Sequence, residues 1–245
     1  MANRKNKTLG ILGGMGPEAT VYLYQLIIKH TPASKDQDHI PTIIYSNTLI
    51  PDRTESIFKE SHEEIVKILS ESAKKLEKAG VDFIVIPCNT AHFYIEAIQK
   101  DIKIPILDMI KISANYLQEK FLKQKEINQR VGLLATSGTV QSRIYQKRFQ
   151  SEKIEVVTLN KPDQYKVMEI IYDIKKSGPS KSFKKRVKKL IRKLKREKGV
   201  NWIVLGCTEI SLLFQDDPDI EGKFLLDPME ILAKYVVKKV KGKFI

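Results

Sequence analysis

The chain has 245 residues, 42% hydrophobic and 29% charged, enough to bury a substantial core and unlike a disordered tail, a collagen or a disulfide-stapled miniprotein. No run of about 18 apolar residues occurs, and MANRKNKT leads into a strand-like segment without a signal-peptide apolar region, so a soluble, cytoplasmic protein without a membrane partner is expected. The net charge of +14 is concentrated in Lys175 to Lys198, where 13 Lys or Arg face one acid, so most of the chain is nearly neutral.

Ile- and Val-rich runs predict short buried strands at Leu9–Leu12, Thr42–Tyr45, Phe83–Ile86, Val131–Leu134, Ile154–Val157, Trp202–Leu205 and Phe224–Leu226. Helical periodicity fills most of the intervals. Ile65, Leu69, Ala73 and Leu76 form one apolar stripe, opened by a capping box at Ser61 and Glu64 and closed by Gly80. Strands alternating with helices predict an α/β fold, with each parallel sheet flanked by helices. In the basic run, Phe183, Val187, Leu190, Ile191 and Leu194 mark one amphipathic helix over 175–198. Its outer side reads as a solvated face and no nucleic-acid partner is expected; a nucleic-acid or membrane surface is the alternative that such a helix also serves.

The chain carries an internal duplication. Gly80–Cys88 reads GVDFIVIPC and Gly199–Cys207 reads GVNWIVLGC, an offset of 119, and at the same offset Leu107–Asp108 corresponds to Leu226–Asp227. GILGGMGP from Gly10 pairs more loosely with GLLATSGT from Gly132. Two pseudo-duplicated halves follow: 1–125 carrying Cys88 and 126–245 carrying Cys207, with a boundary near Lys123–Arg130 and a C-terminal helix over 228–245 that crosses back to the first half. Ligands of open α/β sheets bind beyond the carboxyl ends of strands, so the active site is expected in the cleft between the halves, with one thiol on each side.

A cysteine beside the backbone donors of a helix start is expected to ionise more readily. A lone cysteine is more often a small core hydrophobe, but Cys88 and Cys207 are the only cysteines and occupy equivalent places. With four scattered histidines they make no metal site, and a disulfide is disfavoured in a reducing compartment. Opposed thiols suit proton removal from a carbon acid on one face and return on the other, which is racemisation or epimerisation. Decarboxylation and double-bond isomerisation use similar groups. The turn Gly13–Thr20, GGMGPEAT, meets a dinucleotide fingerprint only weakly, because no acid ends the second strand; a small carboxylate suits it better. Thr136, Ser137 and Thr139 form the equivalent turn, as carboxylate donors or simply helix caps. Arg53 offers a guanidinium for a distal carboxylate or is a surface arginine.

At PCNTAH (Pro87–His92) and LGCTEI (Leu205–Ile210) the chain resembles, over its whole length, the cofactor-independent aspartate/glutamate racemase superfamily. GGMGPEAT in place of a DSG-type opening, and Glu209 where glutamate racemases carry histidine, resemble the aspartate racemase branch. The resemblance implies Cys88 and Cys207 as the catalytic thiols, with no pyridoxal phosphate or metal cofactor and an acidic amino acid as substrate. It further implies Met15, Gly16, Asn89, Thr90, Thr136, Ser137, Thr139, Thr208 and Glu209 around the substrate, and Arg53 selecting acidic substrates. A family lysine falls at Lys175 or Lys176, with Lys176 preferred because it precedes Gly178 by two. Homodimers are implied too. His92, four beyond Cys88, reads as a helix-packing residue or a modulator of the thiol. Glutamate or broad-specificity racemases, maleate isomerases, arylmalonate decarboxylases and hydantoin racemases remain alternatives within the superfamily; a non-enzymatic nucleic-acid-binding protein is the alternative outside it.

Overall fold

The computed structural model describes residues 7–125, 128–215 and 224–243, so positions 126–127 of the expected boundary segment and 244–245 of the expected last helix lie outside the described residues. The chain divides into two compact units, Met1–Met109 with Met229–Ile245, and Ile110–Pro228.

In the first unit the chain runs β1 (Leu9–Gly13), α1 (Pro17–His30), β2 (Thr42–Ser46), α2 (Arg53–Phe58), α3 (Glu63–Lys78), β3 (Phe83–Val85) and α4 (Ile95–Gln99). The second contains α5 (Met109–Gln124), β4 (Arg130–Ala135), α6 (Ser137–Ser142), α7 (Ile144–Gln150), β5 (Glu155–Thr158), α8 (Lys161–Ser177), α9 (Lys181–Lys198), β6 (Trp202–Gly206), α10 (Thr208–Leu212) and β7 (Leu225–Leu226). The last helix, α11 (Pro228–Lys241), returns to the first unit, where the buried His30 Nε2 of α1 meets Glu230 Oε1 at 2.7 Å.

Both sheets are parallel, in the orders β2-β1-β3 and β5-β4-β6-β7. The duplication extends to register. Gly10 pairs with Ile84 as Gly132 pairs with Ile203, and the lone bridge Ile84–Ile106 stands where Ile203 pairs with Leu225. Cys88 and Cys207 are therefore register-equivalent, each buried in its own unit's core cluster.

Several expectations are corrected. The halves divide at Met109 rather than near Lys123–Arg130: α5 groups with the second unit, where Phe121 packs edge-on to Trp202 with centroids 6.5 Å apart. Strands β2 and β5 are sheet edges and only partly buried, with Ile44 40% exposed. The capping box at Ser61 and Glu64 does not form, because Ser61 N donates to Ser56 O and Ser61 O accepts from Ser56 Oγ, tying Ser61 to the end of α2; His62 becomes the N-cap of α3. The basic run is two helices, not one. Pro179 and Gly178, at φ 77°, end α8, and Ser180 opens α9 by accepting from Phe183 N at 3.2 Å.

Candidate active site

The turn between β1 and α1 is shaped by close backbone approach. Gly14 has φ 93°, and a Cβ there would meet the Asn47 carbonyl oxygen at 2.3 Å, so only glycine lets this turn lie against the end of β2. Gly14 N donates to Thr20 Oγ1 at 3.0 Å, and Gly16 N-caps α1 with Pro17 in the first turn. Met15 is buried and Gly16 half-buried.

Arg53 is tied to this turn rather than free on the surface. Its Nη1 donates to Ile50 O at 3.3 Å and Pro51 O at 2.9 Å, and its Nη2 to Met15 O at 3.3 Å. Its Nε–H is buried and makes no hydrogen bond among the described residues. Two of the five guanidinium donors thus brace the β2–α2 loop and a third ties it to the glycine turn, while Nε–H and one Nη2 hydrogen have no partner among the described residues. Asp52 starts α2 by accepting from Glu55 N at 2.9 Å.

Cys88 follows β3 after a three-residue turn around Pro87, with Cys88 N donating to Ile86 O at 2.9 Å. Asn89, Thr90 and His92 are buried beside it, in a 3₁₀ turn over Thr90–Tyr94 rather than an α-helix. His92 Nε2 accepts from Met109 N at 3.1 Å, so Nδ1 carries the proton and donates to Cys88 O at 2.8 Å. The imidazole grips the backbone of the cysteine loop through the Cys88 carbonyl. Sequence reading passed over Tyr94, whose buried hydroxyl donates to Ser56 Oγ at 3.1 Å and links this loop to the helix carrying Arg53.

In the second unit Cys207 is the N-cap of α10 and donates from Sγ to Glu209 Oε2 at 2.9 Å; Thr208 Oγ1 donates to the same oxygen at 3.3 Å. The expected easier ionisation does not hold here. Burial and then the adjacent Glu209 carboxylate push the thiol well above its ordinary range, with the Lys175 ammonium a smaller opposing influence. Both Lys175 and Lys176 are exposed, and Lys175 Nζ stands 3.8 Å from Glu209 Oε1. Lys175 approaches Glu209 because it directly follows buried Ile174 and lies one turn beyond buried Ile171, at the edge of the helix's inner face. The repeated Leu-Asp pair has a structural use in this unit: buried Asp227 accepts from Ser211 Oγ at 2.8 Å and holds α10.

Thr136 caps α6, accepting from Thr139 N at 3.2 Å with the two hydroxyls 3.0 Å apart, and Ser137 N points at Met168 Sδ at 3.1 Å. Gln164, which carried no sequence signal, donates to Ala135 O at 2.9 Å and Ser137 Oγ at 3.4 Å. Helix α8 therefore supports both the Thr136–Thr139 turn and, through Lys175, the Cys207 turn. Among the described residues, no helix is long and apolar enough to cross a membrane.

The family described as Asp/Glu/hydantoin racemase matches residues 12–236. The chain is 30% identical to the broad specificity amino-acid racemase RacX of Bacillus subtilis (strain 168) over 236 residues, covering 94% of this chain and 96% of that one. Among solved structures it is similar to the aspartate racemase of Picrophilus torridus, with 31% identity, a TM-score of 0.79 and coverage of 96% of this chain and 94% of that chain. It is also similar to an aspartate racemase homologue from Pyrococcus horikoshii OT3, with 28% identity, a TM-score of 0.73 and coverage of 95% and 98%.

Proposed function

The chain belongs to the Asp/Glu/hydantoin racemase family, and from that premise we propose that it racemises aspartate, or a closely related acidic amino acid, with Cys88 and Cys207 as the two proton-transfer groups. The observation carrying this reading is the register equivalence of the two buried cysteines in units whose sheets share the order of their first three strands.

In one direction the Cys88 thiolate takes the α-proton, the Cα–H electron pair stays on the substrate as an enolate-like carbanion, and the Cys207 S–H delivers its proton to the opposite face. Burial and Glu209 hold Cys207 protonated, which suits it as the acid. In the reverse direction Glu209, its hydrogen-bond partner, holds the thiol proton so that the Cys207 sulfur takes the α-proton, while the Cys88 S–H delivers its proton to the opposite face and becomes the thiolate; Lys175 offsets the negative charge shared by sulfur and carboxylate. The unused Nε–H and Nη2 hydrogen of Arg53 suit a bidentate bond to the distal carboxylate. Backbone N–H and hydroxyl groups of Met15, Gly16, Asn89, Thr90, Thr136, Ser137 and Thr139 suit the α-carboxylate as donors, their hydroxyl and amide oxygens suit the amino group as acceptors, and the developing carbanion is stabilised by such fixed donors.

L-Aspartate incubated with the protein in deuterated water should yield D-aspartate carrying α-deuterium. Cys88→Ala and Cys207→Ala should each abolish racemisation; full turnover by either variant would refute the two-base scheme. The similarity to a broad specificity racemase favours a second reading in which several amino acids turn over; a substrate panel resolved by chiral chromatography separates the two.

A further inference from the structure

Helix α9 takes no part in the proposed chemistry, and the fold leaves much of its charge unneutralised. Of its 18 residues, 11 are Lys or Arg and one, Glu197, is acidic. Its apolar residues Val187, Leu190, Ile191 and Leu194 are committed to the core of the second unit, which turns the cations outward. Lys185, Lys189, Arg192 and Arg196 are exposed and recur at i, i+4, i+7 and i+11, one face of the helix over about 16 Å. Among the described residues, Lys185, Lys189 and Arg192 have no acidic partner, and Arg196 reaches only Glu197, at 4.0 Å. Like charges at these spacings destabilise a helix, and nothing in the described fold relieves them.

This face borders a cavity of about 500 Å³ between α8 and α9, lined by Lys166, Ile170, Lys189, Arg192, Lys193 and Arg196 among others. The acids nearby are already satisfied. Asp163 pairs with Lys166 at 2.9 Å and with Lys193, while Glu169 and Asp173 meet Arg186 at 3.6 and 3.1 Å. The remaining cations form a line with steps of about 4.5–6 Å, not a convergent pocket for a single anion. Phosphates along a nucleic-acid strand repeat on a similar scale, about 3.4 Å of axis per nucleotide in a duplex and more when extended.

We propose that the α8–α9 face binds the phosphate backbone of single-stranded nucleic acid without reading bases. The groove lining holds no aromatic ring on which bases would stack. The cation steps of about 4.5–6 Å match the longer repeat of an extended single strand better than the roughly 3.4 Å of a duplex. A lipid surface fits less well because the apolar side of α9 is buried and has nothing to insert. This assignment does not rest on the racemase reading.

The test is fluorescence anisotropy of a labelled 20-nucleotide single strand, a matching duplex and phosphatidylserine vesicles against the full chain. Four phosphate contacts predict a log–log salt slope of about −3 and roughly fifty-fold weaker binding at 200 mM than at 50 mM salt. The variant Lys185→Glu/Lys189→Glu/Arg192→Glu/Arg196→Glu should lose binding, and the milder Arg192→Gln should make the slope shallower by about 0.7. Circular dichroism checks the fold of both variants, and both should keep whatever racemase activity the parent shows. No single-strand binding at 50 mM salt, an unchanged slope in Arg192→Gln, or equal or tighter binding of duplex or vesicles would each overturn the proposal.

Discussion

The Cys207 thiol donates to Glu209 Oε2 at 2.9 Å, and Lys175 stands 3.8 Å from the other oxygen of the same carboxylate. If Glu209 accepts the thiol proton when Cys207 works as base, Glu209→Gln should slow racemisation by about 10²–10⁴-fold, the usual range for losing a general acid–base partner. Enantiomers have equal free energies, so kcat/KM must fall by the same factor for L- and D-aspartate, while kcat and KM are free to change separately. Removing the carboxylate charge should also move the Cys207 titration to lower pH, read from thiolate ultraviolet absorbance in a Cys88→Ser background. An unmoved titration would show that Glu209 does not act on the thiol.

Alkaline stability should register the same sulfur. Burial first, and Glu209 second, raise the folded-state pKa of Cys207, whereas an unfolded cysteine titrates near 8.5. Its contribution is fully present below about 8.5 and is lost as pH rises toward the folded-state value, because only the unfolded chain then ionises freely. Urea midpoints should therefore fall more steeply between about pH 8 and pH 10 in the parent than in Cys207→Ser. Parallel curves would contradict the raised pKa.

At the acid end the relevant pair is His30 and Glu230. Burial favours the neutral carboxyl of Glu230, but its bonds to His30 at 2.7 Å and Lys234 at 3.0 Å outweigh that and lower its pKa. The stability it contributes is present above the unfolded value near 4.3 and is lost as pH falls through the folded one. Glu230→Gln should cost about 2 kcal/mol at neutral pH, the scale of a hydrogen bond to a charged group. It should also flatten the acid limb of a Tm–pH series; a limb as steep as the parent's would assign the acid loss to other groups.

Arg53→Lys separates charge from geometry. Lysine keeps the cation but loses the planar fork that spans Met15 O and Pro51 O while leaving Nε–H available. We expect kcat/KM for aspartate to drop roughly 10–100-fold, as for loss of a charge-assisted hydrogen bond, and that for alanine, which has no distal carboxylate, to drop less. Equal losses on both substrates would make Arg53 a structural tie only.

Much of the fold was legible because strand and helix periodicities are local and the duplication repeats them. The spacing that aligned Cys88 with Cys207 also governs the pairing of Ile84 with Ile106 and Ile203 with Leu225. Legibility ended where loop closure overrides local patterning, even between residues four or five apart. The hydrogen bond between Ser56 and Ser61 that displaces the capping box, and the gripping of Cys88 O by His92, depend on how loops close. No periodicity encodes that closure.

By itself, the sequence determined which residue types stand after which strands, including the paired thiols, the glycine turn and the cationic run, because burial patterning and backbone constraints act over a few residues. Tertiary structure alone decided that Lys175 rather than Lys176 approaches Glu209, that Cys207 is pushed toward its protonated form, and that α5 joins one unit while α11 returns to the other. Those outcomes depend on desolvation and on contacts between distant segments, which come into existence only once the chain has packed.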